Sequence, residues 1–230
     1  RRGLNGLVSD TWATRNNRKQ LTINGADLNY IRTPQIQDEF LRLFVDLQNQ
    51  ENNLIWSFLP SFISAISGQS VINFNPYGNF TRNSASLLRL FAESGGTTLN
   101  LLDLADNSQS TDIANFQWLK FQADFRRYYP LDSKQTLAYR ANFGIAQPYG
   151  ISNGILPYEK YFFAGGGTSI RAWQARRLGP GSYSPRMGER GPYDYPIEQP
   201  AEMIFETMLE YRRKLFGYFD MALFIDAGNS

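Results

Sequence analysis

Cysteine and histidine are both absent from this 230-residue chain. Without cysteine there is no disulfide frame and no thiolate metal site. Without histidine the usual zinc sites, histidine-activated nucleophiles and imidazole general bases are excluded as well. Carboxylates, lysine, tyrosine or another non-histidine site would have to carry any chemistry, so no catalytic residue, metal or cofactor is expected. A charge excess of one sign is also missing. The 23 Lys and Arg are nearly matched by 21 Asp and Glu, unlike a dedicated nucleic-acid binder, so no nucleic-acid partner is expected. No apolar run reaches about 18 residues, which excludes a transmembrane helix. A transmembrane barrel stays open, because each of its strands needs only about 9–11 residues with alternating faces.

Aromatic residues are plentiful, with 17 Phe and 13 Tyr, and these side chains favour strands over helices. The chain opens at Arg1-Arg2-Gly3 with neither Met nor a signal peptide, and it stops at Gly228-Asn229-Ser230 directly after an apolar run. Both ends are therefore expected to be cut from a longer protein.

Period-2 alternation is clearest in the second half. Leu119, Phe121, Ala123 and Phe125 alternate with Lys120, Gln122, Asp124 and Arg126. Turn chemistry follows at Pro130-Leu131-Asp132-Ser133, and then Leu137, Tyr139, Ala141, Phe143 and Ile145 alternate against Arg140, Asn142 and Gly144. A second pair sets Met203, Phe205, Leu209 and Tyr211 against Glu202, Glu206, Glu210 and Arg212. After a tight link at Phe216-Gly217, Phe219, Met221, Leu223 and Ile225 alternate with Asp220, Phe224 and Asp226. A soluble sandwich hides its apolar face, whereas a membrane barrel turns that face to lipid and keeps its charges in the lumen. Charges recurring on one face of strand after strand favour the barrel.

The first half is less regular. Leu54–Ile66 is apolar and broken by Pro60, as at an edge, a bulge or a strand end. Ser84–Gly96 places Leu88 and Leu90 opposite Arg89 and Glu93. Residues 36–48 fit a helix face or a strand, and the neighbouring strands tip the balance to a strand.

Between the two clear pairs, residues 147–200 are too long for an ordinary hairpin connection. Their Gly, Pro, Tyr and Arg content is not that of a flexible linker, so this segment is expected to fold onto something. It contains Gly165-Gly166-Gly167-Thr168-Ser169-Ile170-Arg171-Ala172-Trp173. As a phosphate cradle the run fails, because no lysine follows the last glycine and Pro180 forbids a long helix. Arg176 and Arg177 are expected on a solvated arm of the loop without a role.

Phe162-Phe163-Ala164-Gly165-Gly166 followed by Ile170-Arg171-Ala172-Trp173 resembles the BamA/TamA superfamily of outer-membrane assembly barrels, the bacterial surface antigen family. Those proteins carry an F-x-A/G-G element before a V/I-R-G-F/Y/W loop tip. Leu178-Gly179-Pro180-Gly181 extends the match, and Phe224-Ile225-Asp226-Ala227-Gly228 is similar to the family's F-x-D-x-G strand. The departure is Ala172, which stands where glycine is usual and restricts positive φ at the tip. The resemblance covers roughly residues 116–228. Its FAGG-x-x-S-I-R-x-W form, followed by LGPG, points to the TamA-like branch, with two-partner secretion transporters as the alternative.

The resemblance implies an all-β, antiparallel transmembrane β-barrel of which this chain forms the middle strands, out of about 16. Residues 1–230 would belong to one C-terminal outer-membrane barrel domain, with an inward-folded extracellular loop at about 148–200. The periplasmic POTRA domains and the last strands would lie outside the chain. It further implies a Gram-negative outer-membrane location and an assembly, insertion or translocation role. The partners would be outer-membrane lipid and lipopolysaccharide, unfolded client proteins, and periplasmic or lipoprotein accessory subunits. In relatives the loop tip enters the lumen and its arginine meets acidic groups, here Glu210 and Asp226, both of which parity places on the charged face. A guanidinium fork suits paired carboxylates. The competing class is a soluble β-rich carbohydrate-binding or glycoside-hydrolase domain using Glu206, Glu210, Asp220 and Asp226.

Overall fold

A computed structural model of the chain describes residues 2–15, 18–32, 61–74, 84–96, 114–152, 154–179, 181 and 198–230. Its strands are β1 (Arg2–Ala13), β2 (Lys19–Arg32), β3 (Ser61–Asn73), β4 (Ala85–Gly95), β5 (Ala114–Asn115), β6 (Trp118–Pro130), β7 (Gln135–Pro148), β8 (Met203–Lys214) and β9 (Asp220–Asn229). They form one sheet in the order β1-β2-β3-β4-β6-β7-β8-β9, antiparallel throughout, with the two-residue β5 added parallel to β3. The sheet is not closed, and the fold is that of a partial β-barrel wall. Among the described residues the helical pieces are two single 3₁₀ turns, Gly150–Ser152 and Tyr158–Lys160.

Strand length and connection length both suit a bilayer. The 13 residues of β6 and 14 of β7, tilted as in a barrel, rise about 30 Å. The strand ends joined by the short links 14–18, 74–84, 131–134 and 215–219 lie at one end of the sheet, and the strand ends joined by the longer connections 33–60, 96–117 and 149–202 lie at the other. Outer-membrane barrels show the same asymmetry, with short periplasmic turns and long extracellular loops. Exposed Trp12, Tyr129, Phe216, Tyr218 and Phe219 gather at the short-turn end, where an aromatic girdle would meet the interface.

The two faces are inverted relative to a soluble sheet. On one face Phe121, Phe143, Phe205 and Ile225 are 39–72% exposed, while on the other Asp124, Asn142 and Glu206 are no more than 3% exposed. The register joins the apolar residues into continuous cross-strand rows such as Phe121↔Ile145 and Tyr139↔Leu209↔Ile225. The polar face is covered from within. Ala146, Trp118, Ile63 and Ile204 of the wall form one cluster with Leu156, Tyr161, Phe162 and Ala164 of the 149–202 loop. The loop is thus folded inward against the wall. Its two arms pair through Phe162↔Ala201 and, nearer the tip, Ala164↔Leu178.

The sequence expectations for β4 and β6–β9 agree with these bounds. Of Leu54–Ile66, residues 54–60 lie outside the described residues; β3 begins at Ser61, as the strand-end reading of Pro60 expects, and continues to Asn73, through Gly68-Gln69-Ser70, which have little apolar signal. Residues 36–48 lie outside the described residues. The first pair, β1 and β2, escaped the alternation test for a physical reason. A bulge at Gly25-Ala26 sets two residues of β2 opposite one of β3. Outward positions therefore switch from Leu21 and Ile23 to Leu28, because one extra residue reverses the faces.

Lipid contact on the apolar face makes a direct prediction. Phe143→Lys, near the middle of its strand, should destabilise the full-length protein by about 2–4 kcal/mol in lipid vesicles, the range for a lysine at the bilayer midplane. Urea unfolding of the reconstituted protein measures this. An unchanged midpoint would mean that the face meets water.

Candidate functional site

The loop turns at its tip by means of two glycines. Gly165 and Gly166 have φ of 100° and 94°. A Cβ on Gly165 would lie 2.3 Å from the Gln174 carbonyl oxygen. The Gly166 amide donates to the Trp173 carbonyl (2.9 Å), and the Trp173 amide donates to that of Ile170 (3.1 Å), which closes the turn. Gly167 differs. It lies outside the positive-φ set and a Cβ there meets open space, so the third glycine is not needed for the turn. Ala172 also lacks a positive φ, since Arg176 is the only non-glycine residue with one among those described. The missing tip glycine therefore costs this backbone nothing. Gly165→Ala should expose the loop to trypsin, while Gly167→Ala should leave cleavage at the wild-type rate; equal rates for the two would contradict this geometry.

Arg171 sits against β8 and β9. Its Nε and Nη2 donate to Asp226 Oδ2 and Oδ1, both at 2.7 Å, and Nη1 donates to Glu210 Oε2 at 2.6 Å. The Arg171 backbone amide also reaches Asp226 Oδ2, at 3.1 Å. Asp226 is thereby gripped by a fork and an amide from one residue, and its side chain is 4% exposed. The guanidinium lies 3.6 Å from the centre of the Phe224 ring, a cation–π contact between a lumen-side aromatic and a partly desolvated cation. Gly228 completes the seat. A Cβ there would stand 2.3 Å from the Phe205 carbonyl oxygen and 3.0 Å from Ile170 Cδ1, so its bareness lets Ile170 dock. The structure brings Ile170 and Arg171 to the wall but leaves Ala172 and Trp173 exposed. The tip tetrapeptide therefore divides into a docked half and a free half.

A second anchor has no counterpart in the sequence reading. The Ser169 hydroxyl donates to Glu206 Oε1 and accepts from the Gly165 amide at 2.8 Å. Glu206 Oε2 accepts from Asn142 Nδ2 at 2.9 Å, and Asn142 Oδ1 accepts from Gln122 at the same distance. One residue away, the Thr168 carbonyl accepts from Arg140 Nη1 at 2.7 Å, and Arg140 in turn holds the buried Asp124. Higher in the lumen, Lys160 Nζ meets Glu93 Oε2 at 2.8 Å, and the other Glu93 oxygen takes the Trp118 indole proton, also at 2.8 Å. Glu206 stood on the charged face in sequence, but nothing in the alternation pairs it with Ser169.

These contacts bear on the hydrolase alternative. Glu206, Glu210 and Asp226 are each committed to loop-tip donors, and Asp220 lies at the far end of the wall, in register with Lys214. Among the described residues, these contacts leave no two of the four carboxylates arranged about an open cleft for glycoside cleavage.

Arg176 and Arg177 are corrected. Arg176 is not an idle residue on a solvated arm. Its guanidinium lies 4.7 Å from the Phe163 ring centre, donates to Tyr158 Oη at 2.7 Å and pairs with Glu198 at 3.3 Å. Its carbonyl accepts from the Gln199 amide at 2.9 Å, joining both arms of the loop. Its φ of 61° is the strained left-handed setting that such contacts must hold in place. Burial pushes the Tyr158 phenol above its ordinary value, and its hydrogen bond to Glu198 acts in the same direction. Arg177 Nη1 is buried and has no hydrogen-bond partner among the described residues.

Comparison with known proteins adds one match. The Omp85 superfamily domain is matched by residues 107–230, the part that contains β6–β9 and the 149–202 connection. Comparison with curated proteins gives no match.

Proposed function

This chain belongs to the Omp85 superfamily, and from that premise we propose that its barrel is an insertase for outer-membrane client proteins. The superfamily's setting is the bacterial outer membrane, and its general role is protein insertion or translocation there. The observation that carries the proposal is the seat of Arg171 on Asp226 and Glu210. It ties a long loop to two adjacent wall strands at the depth of the lumen. Such a tie stiffens this side of the wall, so that opening elsewhere leaves these strands in register. An open strand edge presents unpaired amides and carbonyls, which template an incoming strand. No covalent step is required.

On this proposal the whole chain lies within one C-terminal barrel domain, with the POTRA domains and the closing strands outside it. The partners are unfolded clients, outer-membrane lipid and lipopolysaccharide, and periplasmic or lipoprotein accessory subunits. The Phe163–Trp173 motif with Leu178-Gly179-Pro180-Gly181 supports the TamA-like branch.

The test is insertion of a urea-unfolded outer-membrane barrel into proteoliposomes carrying the full-length protein. Folding of the client, read by its heat-dependent migration in gels, should be accelerated over empty vesicles. A client released into the vesicle interior would instead indicate two-partner-secretion-type transport. No acceleration and no transport would overturn the proposal.

A further inference from the structure

Around the loop tip, five guanidiniums share three carboxylates. Asp124 is contacted by Arg89, Arg126 and Arg140, at 3.6, 2.9 and 2.9 Å. Glu210 is shared by Arg171 and Arg212, and Asp226 is held by Arg171 alone. Glu206, held by the neutral donors Ser169 and Asn142, is a fourth carboxylate beside them and leaves the arginines in excess by one. Among the described residues, positive charge therefore exceeds negative charge on the inner wall at this level.

The excess surrounds a chamber of about 390 Å³ whose lining includes Arg126, Arg140, Arg171, Arg212, Tyr128 and Thr168. The donors are unevenly used. Arg140 and Arg171 direct all their nitrogens at protein acceptors. Arg126 uses Nε and Nη2 on Asp124, and Arg212 uses Nε on Glu210. Among the described contacts this leaves Arg126 Nη1 and both Arg212 Nη atoms for another acceptor. Their side chains are 42% and 54% exposed, so the unused edges face open space.

Strand register places Arg126 in the row of the Arg171 seat, Arg126↔Arg140↔Met208↔Asp226, and places Arg212 nearer the short turns. Arg126 lies opposite Arg140, Arg212 lies opposite Thr136, and the next rows lead to the 131–134 and 215–219 turns. A solute entering from the short-turn mouth meets Arg212 before it meets the loop, and Arg126 beside the docked tip. A guanidinium fork matches the planar spacing of two oxygens on one carbon or phosphorus.

We propose that this chamber is a binding site for small polyvalent oxyanions of the phosphate or carboxylate class, held by Arg126 and Arg212. The site is distinct from the Arg171 seat, whose acceptors are the protein's own carboxylates. It does not rest on the insertase proposal, because it needs only the inner wall and the docked tip.

The test is calorimetric titration of the full-length protein in detergent with inorganic pyrophosphate, and separately with tricarballylate. Saturable binding of pyrophosphate alone identifies a phosphate site, and binding of both identifies a general oxyanion site; either supports the proposal. Arg126→Gln with Arg212→Gln should weaken binding at least tenfold, since charge-assisted hydrogen bonds to the anion are lost. Arg127→Gln, an exposed position on the opposite face, should leave affinity unchanged. If the glutamine pair fails to fold, Arg126→Lys with Arg212→Lys keeps both charges and should still weaken binding severalfold, since a point charge replaces each fork. Absence of saturable binding to wild type, or wild-type affinity in the variant pair that folds, overturns the site.

Discussion

Arg171→Ala is expected to release the loop tip at a cost of about 3–5 kcal/mol, the range for removing one partner of a buried ion pair. The reason lies in what stays behind. Asp226 and Glu210 have side chains only 4% and 16% exposed. Without the guanidinium Asp226 loses the one cation that holds it among the described residues, beside a Glu210 that keeps only Arg212. Asp226→Ala should cost less, because Glu210 still holds Nη1 and the Phe224 ring still carries the cation. The double variant should fall short of the sum of the singles by roughly 1–3 kcal/mol, the coupling usual for residues in direct contact. Arg171→Lys should restore little, since an ammonium cannot present three separate donors to two carboxylates in a fixed plane. Thermal unfolding gives the energies, and trypsin cleavage at Arg176 and Arg177 reports the loop. Additive losses would sink the pairing as a functional lock.

Gly228→Val should produce the second large effect, about 1–3 kcal/mol by analogy with overpacked cores. The obstruction is backbone: the new Cβ falls 2.3 Å from the Phe205 carbonyl oxygen and 3.0 Å from the Glu206 Cα. Neither atom can swing aside as a flexible side-chain end would. The same Cβ meets Ile170 Cδ1 at 3.0 Å, so one substitution strains the β8–β9 pairing and lifts the tip. Because the first carbon makes the collision, Gly228→Ala should already show most of the loss. Gly68→Ala is the contrast, since a Cβ there meets nothing within 4 Å. A Gly228→Val protein with the urea midpoint and trypsin resistance of wild type would refute the close approach.

Legibility in the sequence followed the regularity of each strand. In β6–β9 the faces never switch, so Phe121, Phe143 and Leu209 could be assigned outward and Asp124, Glu210 and Asp226 inward by counting. The β2 bulge at Gly25-Ala26 reverses the faces partway along the strand, and a window that averages across it sees neither pattern. The Arg171 seat was foreshadowed because motif order and parity converged on the same carboxylates. The Ser169–Glu206 bond was not, since pairing a loop hydroxyl with a wall residue 37 positions away depends on the path of the loop. Three arginines converging on Asp124 were hidden for a related reason. Each occupies an ordinary inward position on its own strand, and only the sheet register brings Arg89, Arg126 and Arg140 to one carboxylate. Arg176 was misjudged because a charged residue among loop polars carries no mark of the aromatic pair that awaits it.

The account stands on the tip being docked inside the wall, and hydrogen exchange on the unmodified full-length protein in nanodiscs tests that most directly. The Gly165, Gly166, Ser169, Arg171 and Trp173 amides all have internal acceptors, and that of Arg171 is Asp226 on β9. A peptide covering 165–173 should therefore exchange on the slow timescale of β8 and β9, well behind the exposed turn at 215–219. Exchange of 165–173 as fast as that turn would contradict the docked tip, and with it the role assigned to Arg171.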